Sequence, residues 1–282
     1  MTIINTIDHL IIAVEDLEAA EGDYEKVLGV GSVWRGTHKE LGTSNVIFNF
    51  ENTYLELLAA TGHGSGADLV RKRIDQKGEG LFGLVLGSND LQASRKKVQE
   101  LGYNLPGITS GEGVNSETGH KRSWLNQFLP PSLTRGIFSF IIEHKIGFLS
   151  DNKGDQDEQV HRLDHVVIRT PHLDDFIKIY RDVFGIRLAL DTVVQSLKKR
   201  VLFFRLNSTT IEVVESSGGK GVENDCLWGM AWAVSDIRKI TSRLAKQGVE
   251  VSEIKKGAKK NTLVATVKSH THAVPTLLIE HT

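Results

Sequence analysis

The chain has 282 residues, 40% of them hydrophobic and 24% charged, with 34 Lys and Arg against 35 Asp and Glu. That is the composition of a folded protein long enough for two domains, and the near-zero net charge excludes a whole-chain electrostatic grip on nucleic acid. A single cysteine, Cys226, excludes an intrachain disulfide framework and fits a reducing compartment. The longest apolar runs are too short to cross a bilayer, and the N-terminus lacks the basic-then-apolar layout of a signal peptide. The expectation is a cytoplasmic protein with neither a nucleic-acid nor a membrane partner.

In chain order, residues 7–14 form a short apolar run of strand length. A helix follows, with Asp16 in its first turn, where a carboxylate suits the positive dipole end. Gly29 stops it as a C-terminal cap. Val46–Phe50 and Tyr54–Leu58 read as a hairpin turning at Glu51-Asn52-Thr53. A strand from Gly80 leads through Asp90 into a helix that opens near Leu91 and stops at Gly102. Leu105–Gly119 is a long Gly-rich loop, a length associated with lids. Ile137–Glu143 closes the first half as a strand. Gly147–His161 is polar, acidic and without periodicity, as expected of a linker.

The second half runs in parallel. Residues 163–168 form a strand, and Leu173, Phe176, Ile177, Tyr180 and Phe184 recur at helical spacing as a buried face before Gly185. Arg200–Leu206 and Thr210–Val214 form a hairpin over Asn207-Ser208-Thr209. Ser216–Asn224 is a short linker. A strand from Trp228 enters a helix at Ile237 that stops at Gly248, and Leu263–Val267 and Thr276–Glu280 are the closing strands.

The halves repeat one another. Asp8-His9 and Asp164-His165, Gly29 and Gly185, and Glu56 and Glu212 are each 156 residues apart. A fainter copy lies within each half, Gly80–Gly102 and Trp228–Gly248. The fold class is therefore α+β: four βαβββ units in two tandem modules, residues 1–147 and 162–282, joined by 148–161.

Four such units with an Asp-His opening resemble the vicinal oxygen chelate superfamily, which holds glyoxalases, bleomycin-resistance proteins and extradiol dioxygenases. Within it, His38, Gly42-Thr43-Ser44-Asn45 and Tyr54–Leu57 are most similar to the glyoxalase-like domain family. The resemblance implies that two units pair into an open barrel-like sheet cupping a metal or ligand. It also implies that ligands come from the first and last strands of each unit. On this chain those positions are His9, Gly83, His165 and Gly229, and Glu56, Glu143, Glu212 and Glu280.

If units pair within each half, the implied metal sets are His9/Glu56/Glu143 and His165/Glu212/Glu280. Crosswise pairing gives His9/Glu56/Glu280 and Glu143/His165/Glu212. One imidazole with two carboxylates suits divalent zinc, manganese, iron, nickel or cobalt. A bound ion would polarise a carbonyl while a glutamate, Glu56 or Glu143, moves the proton. His38, Thr43, Asn45, Arg122 and Trp124 are the expected substrate contacts.

The expected function is a metal-dependent, glyoxalase-like lyase or isomerase acting on a small oxygenated metabolite, as a monomer or homodimer. The alternative is a metal-free binding protein of the bleomycin-resistance type. Glycine at both second first-strand positions leaves the 2-His-1-carboxylate set unassembled and places an extradiol-type dioxygenase third. An enzyme should gather the histidine and both glutamates around one point. A binding module should line the cup with aromatics and leave the carboxylates apart.

Overall fold

The computed structural model describes residues 3–152, 154–155, 157–195, 197–216 and 225–282; of the expected linker Ser216–Asn224, residues 217–224 lie outside them. The first half contains β1 (Thr6–Ala13), α1 (Leu17–Leu28), β2 (Trp34–His38), β3 (Thr43–Asn49), β4 (Tyr54–Ala60), α2 (Ser65–Lys77), β5 (Gly80–Gly87), α3 (Leu91–Glu100), β6 (Thr109–Val114), β7 (Lys121–Phe128), α4 (Pro131–Thr134) and β8 (Phe138–Ile146). The second contains β9 (Val160–Thr170), α5 (Leu173–Ile177) with a π-helical continuation over Lys178–Val183, β10 (Arg187–Val194), β11 (Lys199–Leu206), β12 (Thr209–Glu215), β13 (Cys226–Val234), α6 (Ile237–Lys246), β14 (Lys255–Lys256), β15 (Thr262–Val267) and β16 (Thr276–His281). Among the described residues, no helix is long and apolar enough to cross a membrane.

Each half folds into one eight-stranded sheet, β2-β3-β4-β1-β5-β8-β7-β6 and β10-β11-β12-β9-β13-β16-β15-β14. Units therefore pair within each half, first strand against first strand, and the crosswise alternative does not occur. Asp16, Asp90 and Asp236 cap α1, α3 and α6 by accepting backbone N–H groups, which supplies partners that a helix start lacks. Gly29 ends α1 in the left-handed region, φ 75°, where a Cβ would be strained.

Helices α1 and α3 cover one face of the first sheet and α5 and α6 one face of the second, and one apolar core runs through both halves: Tyr24, Phe48 and Leu84 belong to it with Phe176, Phe204 and Trp232. Asn52 bonds Leu163 and Thr209 across the halves, and Arg135 pairs with buried Asp225.

The stretch Leu105–Gly119 is not a free loop. It contains β6, which pairs along its length with β7. Polar and glycine residues hid it, because strand pairing here rests on backbone bonds rather than an apolar run. β6 also closes the sheet on itself. Ser116 N donates to Arg35 O at 2.8 Å, and a Cβ on Gly113 would stand 3.0 Å from Trp34. The two edge strands are thereby drawn together around the face that α1 and α3 do not cover. At one end, Val70 and Ile74 of α2 plug that interior against Ile11, Ala13 and Phe82.

Candidate active site

The interior of the first sheet is built by alternation along its strands. His9 of β1, Glu56 of β4 and Phe140 of β8 face inward with Trp34, Tyr54 and Trp124. A register shift in the β1–β5 pairing skips Asp8 between Ile7 and His9. Such bulges re-aim side chains, and here Asp8 Oδ1 sits 2.7 Å from its neighbour's Nδ1. His9 Nε2 then faces Glu56 Oε2 at 3.3 Å. Asn45 Nδ2 donates to the other Glu56 oxygen at 2.7 Å. The second Asp8 oxygen meets His144 Nε2 at 2.9 Å, and His144 Nδ1 lies 3.5 Å from Arg122. Asn45, Glu56, His9, Asp8 and His144 thus form one continuous polar array through an apolar barrel.

The array is almost dry. His9 is 2% exposed and Glu56 8%. Burial pushes both carboxyls up, but the bonds and charge of the two histidines hold Asp8 below its usual range, and those of His9, with His38 and Asn45, hold Glu56 below its own. Burial also pushes the His9 imidazole down, and the flanking Asp8 and Glu56 outweigh it and raise it. The shifts favour an imidazolium between two carboxylates. Tyr54 stacks on His9 with ring centroids 4.3 Å apart, and burial, reinforced by Asp8 and Glu56, keeps its phenol well above the ordinary range. Solvent reaches Asp8 and His144 through a cleft of about 240 Å³ shared with Thr6, Gly87 and Ser88. A second cleft of about 200 Å³, lined by Glu21, Arg35 and Ser116, reaches Asn45.

Of the residues expected at the site, the structure brings His9, Glu56 and Asn45 together. His38 and Thr43 bond each other at 3.0 Å at the mouth of the same strands, and Arg122 and Trp124 line the far end of the interior. Glu143 is not among them. Alternation turns it to the helical side, where Leu91 N donates to it at 2.9 Å at the start of α3, a favourable place for an anion, and Lys145 pairs with it. Glu280 does the same in the second half, accepting from Ile237 N at 2.8 Å at the start of α6.

The implied divalent ion does not fit these donors. Ile11 pairs with Glu56 in the first unit, and the corresponding Val85 pairs with Phe140 in the second. The position across from Glu56 is therefore a phenyl ring. Gly83, the counterpart of His9, leaves space that Ile11 and Phe138 fill. Two donors remain, already paired to each other, and a catalytic ion ordinarily has three protein ligands. Among the described residues no group of three or more His, Cys, Asp or Glu is placed to hold a metal ion.

The second sheet repeats the array. The β9–β13 register skips Asp164 in the same way. Asp164 meets His165 Nδ1 at 2.8 Å and His281 Nε2 at 2.6 Å, while His165 Nε2 stands 3.8 Å from Glu212. His165 and Glu212 are therefore neighbours, with Glu280 on the opposite face. Sequence reading missed His144 and His281. Their signal was available: Ile142-Glu143-His144 and Ile279-Glu280-His281 end equivalent strands, and alternation puts the histidine, not the glutamate, inside.

Residues 7–188 match the family model of the glyoxalase-like domain, and residues 162–267 that of the glyoxalase/bleomycin resistance protein/dioxygenase superfamily. The ethylmalonyl-CoA/methylmalonyl-CoA epimerase of Cereibacter sphaeroides is 31% identical over 110 residues, covering 39% of this chain and 78% of that protein. A mutant of 4-hydroxymandelate synthase from Streptomyces coelicolor superposes with a TM-score of 0.71 at 13% identity, over 99% of this chain and 93% of that one. The Mn(II)-bound glyoxalase of Novosphingobium aromaticivorans gives 0.65 at 16% identity, over 100% and 83%. At such identities the structural likenesses show the fold alone. The first family model spans well over half of the residues, and the chain belongs to the glyoxalase-like domain family.

Proposed function

We propose that the first sheet encloses a site where a small oxygenated metabolite undergoes isomerase- or lyase-type proton transfer. The observation that carries this reading is the buried pair of Glu56 and His9, 3.3 Å apart with Asp8 behind the imidazole. A carboxylate that is unprotonated and fixed in a dry cup is placed to take a C–H proton beside a carbonyl, by position rather than by raised basicity. The C–H electron pair moves onto the carbonyl oxygen as an enolate. As Glu56 takes the proton its hold on the His9 Nε2–H weakens, which frees that N–H to donate to the enolate oxygen, and return of the proton completes an isomerisation. His38, Thr43 and Asn45 orient the substrate. An epimerase inverts one stereocentre, which beside a carbonyl is a proton removed and returned, so the 31% identical relative supports the same chemistry. We further take residues 1–147 and 162–282 as the two modules joined by 148–161.

The aromatic lining of Trp34, Tyr54, Trp124 and Phe140 favours a second reading, a metal-free cup that holds its ligand without reaction. Exchange in deuterium oxide separates the two. Proton NMR would follow the α-proton of 2-hydroxy aldehydes and ketones, 2-alkyl-3-oxo acids and 2-methyl thioesters. Proton transfer predicts accelerated loss of that signal for at least one class, abolished by Glu56→Gln. No acceleration with a compound that binds would leave the binding reading.

A further inference from the structure

Arg122 of β7 is 6% exposed and lies over three aromatic rings, 5.5 Å from the centroids of Trp34 and Tyr54 and 6.0 Å from Trp124. Its polar neighbours are the His144 ring at 3.5 Å and the Tyr54 hydroxyl. Its Nε has no hydrogen-bond partner among the described residues. Nor does its guanidinium form a salt bridge among them, whereas the partly buried Arg135 pairs with Asp225. Cation–π contact offsets only part of the cost of burying a charge. A buried cation with a bare N–H is arranged for an anion that arrives from outside.

We propose that Arg122 anchors the carboxylate of the ligand, so that the first cup takes a small organic acid. This rests on the cup being the ligand site and names its substrate class. A guanidinium offers a planar fork that matches a planar carboxylate, and three flat rings surround it. A single negative charge suits the cup better than a phosphate dianion, because Asp8 and Glu56 are already ionised within it. Tyr54 lies between Arg122 and His9, so one ring's width separates the acid group from the carbon above Glu56. The metal expected to hold substrate oxygen in this fold has a counterpart here in a fixed guanidinium.

Tryptophan fluorescence reports directly, since Trp34 and Trp124 both contact Arg122. Titration with benzoate should give a saturable change, the neutral isostere benzamide none, and inorganic phosphate a response at least tenfold weaker in apparent affinity. Arg122→Lys, which keeps the charge and loses the fork, should weaken benzoate several-fold. Arg122→Met should weaken it at least tenfold while raising the Tm of the ligand-free protein, because an unpaired buried charge is gone; a merely structural arginine would lower it. Equal responses to benzoate and benzamide, a phosphate response matching benzoate, or unchanged binding in Arg122→Met would each overturn the anchor, and the first two need no variant to fold. Glu56→Gln should still bind benzoate. Carboxylate binding without exchange in any compound breaks the proton-transfer reading and leaves the anchor standing. Exchange confined to neutral carbonyl compounds does the reverse.

Discussion

The two halves carry the same four groups on the same strands and differ in what surrounds them. Asp8, His9, Glu56 and His144 answer to Asp164, His165, Glu212 and His281, bulge for bulge and bond for bond. Yet His9 and Glu56 have side-chain exposures of 3% and 10% at 3.3 Å, against 18% and 22% at 3.8 Å for His165 and Glu212. The lining explains the difference. Leu190, 52% exposed, stands where Trp34 closes the first cup, Thr210 where Tyr54 stacks, and Val201 where Asn45 donates to the glutamate. With His165 too far away to bond it, burial pushes Glu212 up despite that imidazole's charge, whereas the bond and charge of His9, with His38 and the Asn45 amide, hold Glu56 down. The backbone sets where the array stands, and the lining decides what state it is in.

The sharpest break between the halves should be chemical. Glu56→Gln is expected to cut α-proton exchange by at least ~10²-fold, the usual weight of a positioned base, while Glu212→Gln leaves it unchanged. Equal losses would show that both cups work. Next in size is Asn45→Val, which gives the first cup the residue of the second. It strands a buried carboxylate oxygen and should cost about 1–3 kcal/mol in urea unfolding at pH 7; a cost near zero would mean that water replaces the amide.

The pH dependence should have opposite signs in the two halves. Glu56 lies below the ordinary carboxyl value of 4.5, so its contribution is present above that pH and lost as pH falls through the lower folded-state value. Glu212 lies above 4.5. Its folded state holds the proton longer, and stability is lost as pH rises through that raised value. His9, raised from 6.5, contributes below 6.5 and loses that contribution as pH climbs through its folded-state value. Relative to wild type, Glu56→Gln should therefore lose more stability at pH 7 than at pH 4, and Glu212→Gln should gain at pH 7, each by about 1 kcal/mol per unit of displacement. Slopes of the same sign in both variants would break the contrast.

Much of this was legible in the chain, and each loss has its own physical cause. The duplication at constant spacing exposed four units and two sheets, because strand starts, caps and stopping glycines repeat. His9 and Glu56 stood out by the repeat and Asn45 by the family likeness, while the pairing of units stayed open until the strand order was seen. Glu143 and Glu280 failed on parity: a glutamate in an apolar strand reads alike on either face, and only the partner strand says which is inside. β6 failed because its pairing rests on backbone bonds along Thr-Ser-Gly-Glu-Gly-Val. Arg122 was visible as a basic residue beside Trp124, but its lack of a partner is a property of three dimensions.

The subtlest expectation runs the comparison backwards. Val201→Asn places an amide opposite Glu212, in the register Asn45 holds to Glu56, since Phe203 pairs with Glu212 as Ile47 pairs with Glu56. A donated bond favours the ionised form, so the Glu212 carboxyl should fall toward or below 4.5, read from its side-chain carbon-13 shift against pH. Stability at pH 7 should rise by a few tenths to about 1 kcal/mol for the bond, less what the buried valine loses as a polar residue. If Glu212 moves, one amide accounts for most of the difference between the two carboxylates. If it does not, the difference lies in enclosure, with Trp34 and Tyr54 excluding the water that Leu190 and Thr210 admit, and closing the second cup would take those aromatic replacements instead.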